Sequence, residues 1–217
     1  MMKSIKIDFV SDVACPWCAV GLGGLLEAIE RIGPAAEFRI AMQPFELNPD
    51  MPKGGQNTGE RLMKKYGFDY ERLQENRKVI AQRAAAVDMP MNQTDDSRSY
   101  NTFDAHRLLY WAGTLGQAEQ LALKRSLLKT YHFDNLDTGE TAVLVKAAQD
   151  AGLDGDAARE TLEAGRYADE VRAEQAKWRQ LGITSVPSVI IDDKYLVSGG
   201  QPPEVFEQAL RQVAAEG

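Results

Sequence analysis

The sequence predicts an α/β fold in which a βαβ unit and a ββα unit are separated by a long helical insertion. Three observations carry this expectation. Alternating β-branched and aromatic residues mark strands near both ends of the 217-residue chain, a 3.6-residue apolar periodicity fills the region between them, and a helix-length apolar segment joins the first two strands. Two strands joined through a helix pair in parallel, and the crossover is right-handed.

Ile5-Lys6-Ile7-Asp8-Phe9-Val10 alternates and opens the chain as a strand. Pro16 to about Arg31 has helical length and stops at Gly33-Pro34, and Glu37 to Gln43 alternates again until Pro44. From Pro49 to about Gly182 the strand signals vanish. Ala105, Leu108, Leu109 and Ala112, then Leu123, Leu127, Leu128 and Tyr131, recur at helical spacing. Asp137 with Glu140 reads as a capping box, and Arg166 to Leu181 as a helix closed by Gly182. Loops are expected at Met51–Asn57 and Met89–Ser99. Strands return at Ser188–Ile191 and Tyr195–Ser198 around the turn Asp192-Asp193-Lys194, and Pro202 stands in the first turn of a last helix through Val205, Phe206, Leu210 and Val213. The expected units are residues 1–48 with 183–217, and a helical insertion over 49–182.

Composition narrows the function. A hydrophobic fraction of 44% with 26% charged residues is that of a globular protein. A net charge of −7, with no cationic run longer than Lys64-Lys65, argues against nucleic acid. The longest uncharged stretch, 13–26, is too short to span a membrane and contains Pro16. No signal-peptide pattern is visible at Met1–Ile7, so a cytoplasmic location is expected, where thiols stay reduced. The chain has only two cysteines, three positions apart, and in that compartment such a pair points to chemistry rather than to a staple.

Cys15-Pro16-Trp17-Cys18 falls at the first strand-to-helix junction. With Cys15 as N-cap and Pro16 as the first helical residue, the Cys15 sulfur meets free N–H groups and the positive end of the helix, which favour thiolate. Cys18, one turn on, can attack a mixed disulfide on Cys15. Neither intervening residue is charged, which predicts a potential inside the roughly −270 to −120 mV range of such dithiols. The competing uses are half a zinc site, an inert buried pair and a sensor without turnover. Zinc would need His106 and His132, which lack close spacing, so no metal is expected. Val186-Pro187 precedes a strand: a cis bond would present the Val186 backbone to a substrate strand, whereas a trans proline would merely open an edge strand.

Taken in order, Ser11-Asp12-Val13-Ala14-Cys15-Pro16-Trp17-Cys18, Pro44-Phe45-Glu46-Leu47-Asn48-Pro49, Asn101-Thr102 with Ala105-His106-Arg107, Val186-Pro187, and Ser198-Gly199-Gly200-Gln201-Pro202 resemble the DsbA-like thioredoxin-fold family in its cytosolic FrnE-type branch. The resemblance covers essentially the whole chain. It implies a thioredoxin fold interrupted by helices, a cis Pro187 packed on Cys15, and a thiol–disulfide oxidoreductase acting on protein or small-molecule disulfides with an external thiol reductant or oxidant and no required cofactor. Relatives of the same fold, the hydroxychromene-carboxylate isomerases and kappa-type glutathione transferases, use glutathione and carry serine at the position of Cys15. Glutathione as a co-substrate, with Ser198, Gly200 and Gln201 at the last helix start holding a carboxylate, is therefore one expectation; an ordinary turn into that helix is the other. Ser188 replaces a large apolar residue and is expected to widen the groove. Gly21-Leu22-Gly23-Gly24 departs from the family pattern and is expected to mark a kink or a close backbone contact such as a homodimer face. His106 either tunes Cys15 or is a satisfied buried histidine. Asp8 either accepts the Cys18 proton or sits at the surface, and His132 and the Tyr66, Phe68 and Tyr70 group read as ordinary packing.

Overall fold

The alternation of Ile5, Ile7 and Phe9 puts three fully buried side chains on one face of β1 (Ser4–Ser11), and that face organises the α/β part of the chain. In a computed structural model, which describes residues 4–216, β1 lies inside a four-stranded sheet of order β2-β1-β5-β6. Met1–Lys3 and Gly217, expected in the outer unit, lie outside the described residues. β2 (Glu37–Pro44) runs parallel to β1; β5 (Ser188–Ile191) pairs antiparallel with β1 and with β6 (Tyr195–Ser198). Helices α1 (Pro16–Ile32) and α9 (Pro203–Ala215) cover the Ile5 face through Val20, Leu22, Leu25, Phe206 and Leu210. On the other face Val10 meets Phe45, Ile183 and Trp178 of α8 (Ala168–Gln180). This is the thioredoxin-like fold with a helical insertion.

Between β2 and β5 come α2 (Thr58–Tyr66), α3 (Tyr70–Ala85), α4 (Phe103–Leu115), α5 (Gln117–His132), α6 (Thr141–Asp150), α7 (Gly155–Glu163) and α8, with a two-residue ladder of β3 (Gln56–Asn57) and β4 (Arg98–Ser99). A second apolar cluster joins Leu108, Leu123, Leu127, Leu144 and Leu162 to Val13, which the turn after β1 contributes. The insertion is also bonded to the sheet. Gln117 and Gln120 accept from the N–H groups of Ile40 and Met42 at 3.0 and 2.9 Å and donate to the carbonyls of Phe38 and Met42. Two amide side chains thus occupy the outer edge of β2, where another strand would otherwise pair. Among the described residues no helix is long and apolar enough to cross a membrane.

Several expectations need correction. Asp137 does not open a helix: its carboxylate accepts from the N–H of Gly139 in a local turn, and α6 begins at Thr141. The helix expected from Arg166 begins at Ala168, because Tyr167 has φ +63° and cannot continue a right-handed helix. Pro202 is the N-cap of α9, and Pro203 is its first residue. Tyr66 and Tyr70 are both 55% exposed, with Tyr66 stacked on Phe68 at the surface.

The glycines of α1 mark close contacts within the chain. A Cβ at Gly23 would lie 2.5 Å from the Val87 carbonyl oxygen, one at Gly24 2.7 Å from that of Gln201, and one at Gly21 3.0 Å from Pro187 Cγ. At Gly23 and Gly24 the neighbouring backbone therefore approaches α1 more closely than a Cβ allows, and at Gly21 the contact would be tight. Replacing a helical Gly by Ala ordinarily gains about 1 kcal/mol. At Gly23 the clash with backbone should reverse the sign, and Gly23→Ala is expected to lose about 1–3 kcal/mol in urea denaturation. A stabilised variant would refute this account of α1.

Candidate active site

Cys15 ends the turn that follows β1 with extended backbone (φ −92°, ψ 113°), and Pro16 starts α1. Its carbonyl accepts from the N–H of Cys18 at 3.0 Å, so the two cysteines are separated by the first helical turn. Both thiols are free; Cys15 is 5% exposed and Cys18 not at all. The Val186–Pro187 bond is cis. As a thiol, Cys15 donates to the Val186 carbonyl across 3.6 Å, and Pro187 packs on Gly21. Pro16 and Trp17 are half-buried, and Gly200 lies so close to Trp17 that a Cβ there would meet its carbonyl oxygen at 2.8 Å. Cys15, Pro16, Trp17, Val186, Pro187 and Gly200 are thus brought together on one side of the dithiol.

Behind it lies a buried polar cluster centred on Asp12. This carboxylate accepts from Leu47 N–H at 2.7 Å, Thr102 Oγ1 at 2.8 Å and Ala14 N–H at 3.2 Å, and His106 Nε2 stands 3.4 Å away. Burial pushes the Asp12 pKa up. The charge of His106 and the donors from Leu47 and Thr102 outweigh that and hold it below the ordinary value. His106, on α4, the third helix of the insertion, faces this carboxylate. His132 Nε2 lies 2.9 Å from the Val13 carbonyl and must donate to it, and burial pulls its pKa down to about 4. The remaining member is Lys124, on α5, wholly buried with no hydrogen-bond partner for Nζ among the described residues.

Cys18 is held well above the ordinary thiol pKa, first by burial, then by the neighbouring Cys15; Lys124 and the Asp12 backbone act in the opposite sense. The pair is asymmetric: Cys15 keeps 5% exposure at the helix start, whereas Cys18 is wholly buried with its thiol pKa raised.

Other expected residues fall elsewhere. Asp8 is buried, not at the surface, and its carboxylate is taken by Gln43 at 2.6 Å and Lys6 at 2.9 Å rather than by Cys18. Ser188 points inward and donates to the Ser185 carbonyl at 2.9 Å, holding the turn before β5 instead of widening a groove. At the start of α9 few donors are free. Pro202 and Pro203 have no N–H, Val205 N–H bonds Pro202, and Gln201 spends its backbone and side-chain donors on Gly199 and Ser198. With Glu204 in the first turn, Ser198, Gly200 and Gln201 form a turn into a helix rather than a carboxylate cradle. Among the described residues no three His, Cys, Asp or Glu side chains are grouped so as to hold a metal ion.

Asp12, Lys124 and His132 carry no role in the sequence expectations. A signal existed for Lys124, which falls at helical spacing within a buried stripe, four residues after Gln120 and four before Leu128. Asp12 stands in the dithiol motif, but its role rests on partners beyond Ala14 that lie 35 and 90 residues away.

Two outcomes follow from the burial. Near pH 7, iodoacetamide should alkylate Cys15 and spare Cys18, read by peptide mass spectrometry; equal labelling of both would contradict the asymmetry. The second concerns His132. With a folded pKa of about 4 against 6.5 unfolded, the unfolded chain binds the extra proton, so stability present above pH 6.5 is lost as pH falls towards 4. The loss is on the order of 3 kcal/mol, and His132→Gln should flatten that part of the urea stability–pH curve.

The comparisons agree with this geometry. The probable DsbA oxidoreductase SCO1869 from Streptomyces coelicolor superposes with a TM-score of 0.90 at 34% identity, covering 98% of this chain and 91% of its own. A 2-hydroxychromene-2-carboxylate isomerase gives 0.72 at 13% identity over 97% of both chains. The cytosolic disulfide reductase DsbM from Pseudomonas aeruginosa, solved with glutathione, gives 0.63 at 16% identity over 95% of this chain and 98% of its own. The family model for the DSBA-like thioredoxin domain matches residues 6–211. A match of that extent, over the sheet, the dithiol turn and the inserted helices alike, makes this chain a member of the DSBA-like thioredoxin domain family.

Proposed function

We propose that the chain is a cytosolic thiol–disulfide oxidoreductase that turns over through Cys15 and Cys18. The observation that carries this is the asymmetry of the pair: an N-cap cysteine, 5% exposed, beside Val186 and Pro187, and a wholly buried partner one turn behind. Cys15 as thiolate attacks one sulfur of a substrate disulfide, and the substrate's S–S bond breaks to release a thiolate. Cys18 then loses its proton and attacks Cys15, freeing the second substrate thiolate and leaving the Cys15–Cys18 disulfide. Val186 and Pro187 would take the backbone of a substrate strand, with Pro16, Trp17 and Gly200 forming the adjoining wall. His106 acts from behind, through Asp12.

Glutathione is the small thiol we propose as co-substrate, returning the disulfide to the dithiol. The DsbM structure solved with glutathione supports that choice, as its cytosolic location supports the compartment. A glutathione-dependent isomerase is the second reading, favoured by the likeness to the hydroxychromene isomerase fold. The free Cys15 and the spent donors at the α9 start weigh against it.

The test is insulin reduction with dithiothreitol, with thiol trapping in glutathione buffers alongside. The wild type should exceed dithiothreitol alone, Cys15→Ser should fall to that background, and Cys18→Ala should accumulate a mixed disulfide on Cys15. Activity retained by Cys15→Ser with added glutathione would establish the isomerase reading. A wild type no faster than dithiothreitol, with no intramolecular disulfide, would end the oxidoreductase one.

A further inference from the structure

Helix α5 presents one long stripe to the sheet and the redox turn. Gln120 bonds Met42 on β2, Leu128 packs in the core beneath α1, and His132 bonds Val13 just before the dithiol. Lys124 lies one turn beyond Gln120 and one turn before Leu128, so the same stripe carries its side chain into the protein. It is 0% exposed, among the largest side chains buried to that degree, and among the described residues its Nζ has no hydrogen-bond partner. A buried, unbonded ammonium is costly, and a lysine so placed holds its proton only while an anion is near.

The charges that act on it are those of the dithiol and its support. Burial lowers the Lys124 pKa; Cys18, Asp12 and Cys15 raise it, in that order. Lys124 in turn lowers the pKa of Cys18 and of His132. His106 faces the cluster from α4 but is engaged with Asp12. Of the anions, Asp12 is already served by three donors and His106, whereas the thiolate disappears each time the pair becomes a disulfide.

Building on the dithiol reading, we infer that Lys124 is a redox-linked proton site: it holds a proton while Cys15 and Cys18 are reduced and gives it up when they form a disulfide. The balance closes. A substrate disulfide RSSR takes two electrons from the pair, its S–S bond breaks as the Cys15–Cys18 bond forms, and two thiolates leave. The Cys18 thiol supplies one proton and the Lys124 ammonium the other, so two neutral thiols depart and a neutral lysine faces a neutral disulfide. In the reverse direction Lys124 takes a proton up as the thiolate returns. Lys124 acts through the dithiol and is a positioning residue.

The reading is the pH dependence of the equilibrium with reduced and oxidised glutathione, from pH 6 to 9.5, for the wild type and for Lys124→Met, which keeps the length of the side chain. Between the two Lys124 pKa values the wild type should release one more proton on oxidation than the variant, so the ratio of the wild-type to the variant oxidation constant should rise up to tenfold per pH unit. That tenfold is about 30 mV for a two-electron couple. The curves should meet at high pH, where Lys124 is neutral in both states, and the wild-type dithiol should be the more stable below the window. Curves that coincide, or run parallel as they would beside a fixed charge, overturn the inference while leaving dithiol exchange intact. A wild type that forms no disulfide fails the function and the inference with it. Should Lys124→Met fail to fold, carbon-13 NMR of wild-type lysine Cε decides: one resonance must titrate below the others and move between redox states, and its absence overturns the proposal.

Discussion

The carboxylate of Asp12 is the point on which the site depends. It is buried, and a buried anion costs several kcal/mol unless its lone pairs are met. Leu47, Thr102 and Ala14 meet them, and His106 stands by. Each partner comes from a different part of the chain: the loop after β2, the start of α4, and the redox turn itself. Satisfying one anion therefore sets the turn that presents Cys15. The segment after β2 is fixed a second time at Glu46, which is buried and bonded by Arg172 and Gln175 of α8. Three of the motifs noticed in the sequence supply the partners of Asp12, through Ala14, Leu47, Thr102 and His106.

The dithiol gains its asymmetry from the same architecture. Cys15 has the helix start and the Val186 carbonyl on its exposed side; Cys18 has core around it. Burial works against ionisation of Cys18, and Lys124, which opposes this, comes from the inserted helices. The insertion thus closes the back of the site with chemistry as well as bulk, because α4 and α5 bring His106, Lys124 and His132 to a turn that belongs to the sheet.

Much of this was legible. Period-2 alternation found β1 and β2, and β-rich runs around a turn found β5 and β6; helix starts were misplaced at Asp137, occupied by Gly139, at Tyr167 in left-handed backbone, and by one residue at Pro202. The dithiol and its proline could be read because their chemistry is local, contained in Cys15 to Cys18 and in Val186-Pro187. Asp8 and Ser188 were misplaced because a strand position does not reveal which face will be covered; α8 and the loop at Phe45 cover that face of β1. Asp12 and Lys124 stayed silent because their meaning lies in partners tens of residues distant. A lysine at a position where helical spacing demands an apolar residue was the one trace available in the sequence.

The glutamine pair on β2 bears on modularity. A strand edge sealed by side chains of α5 is not an edge to which helices have merely been appended. Excising the insertion to leave a minimal thioredoxin core would unseal β2, strip Asp12 of Thr102 and His106, and open the floor beneath Cys18 to water. The two parts of the chain are consequently joined by shared hydrogen bonds: grafting either onto a different counterpart requires carrying Gln117, Gln120 and the Asp12 donors along with it.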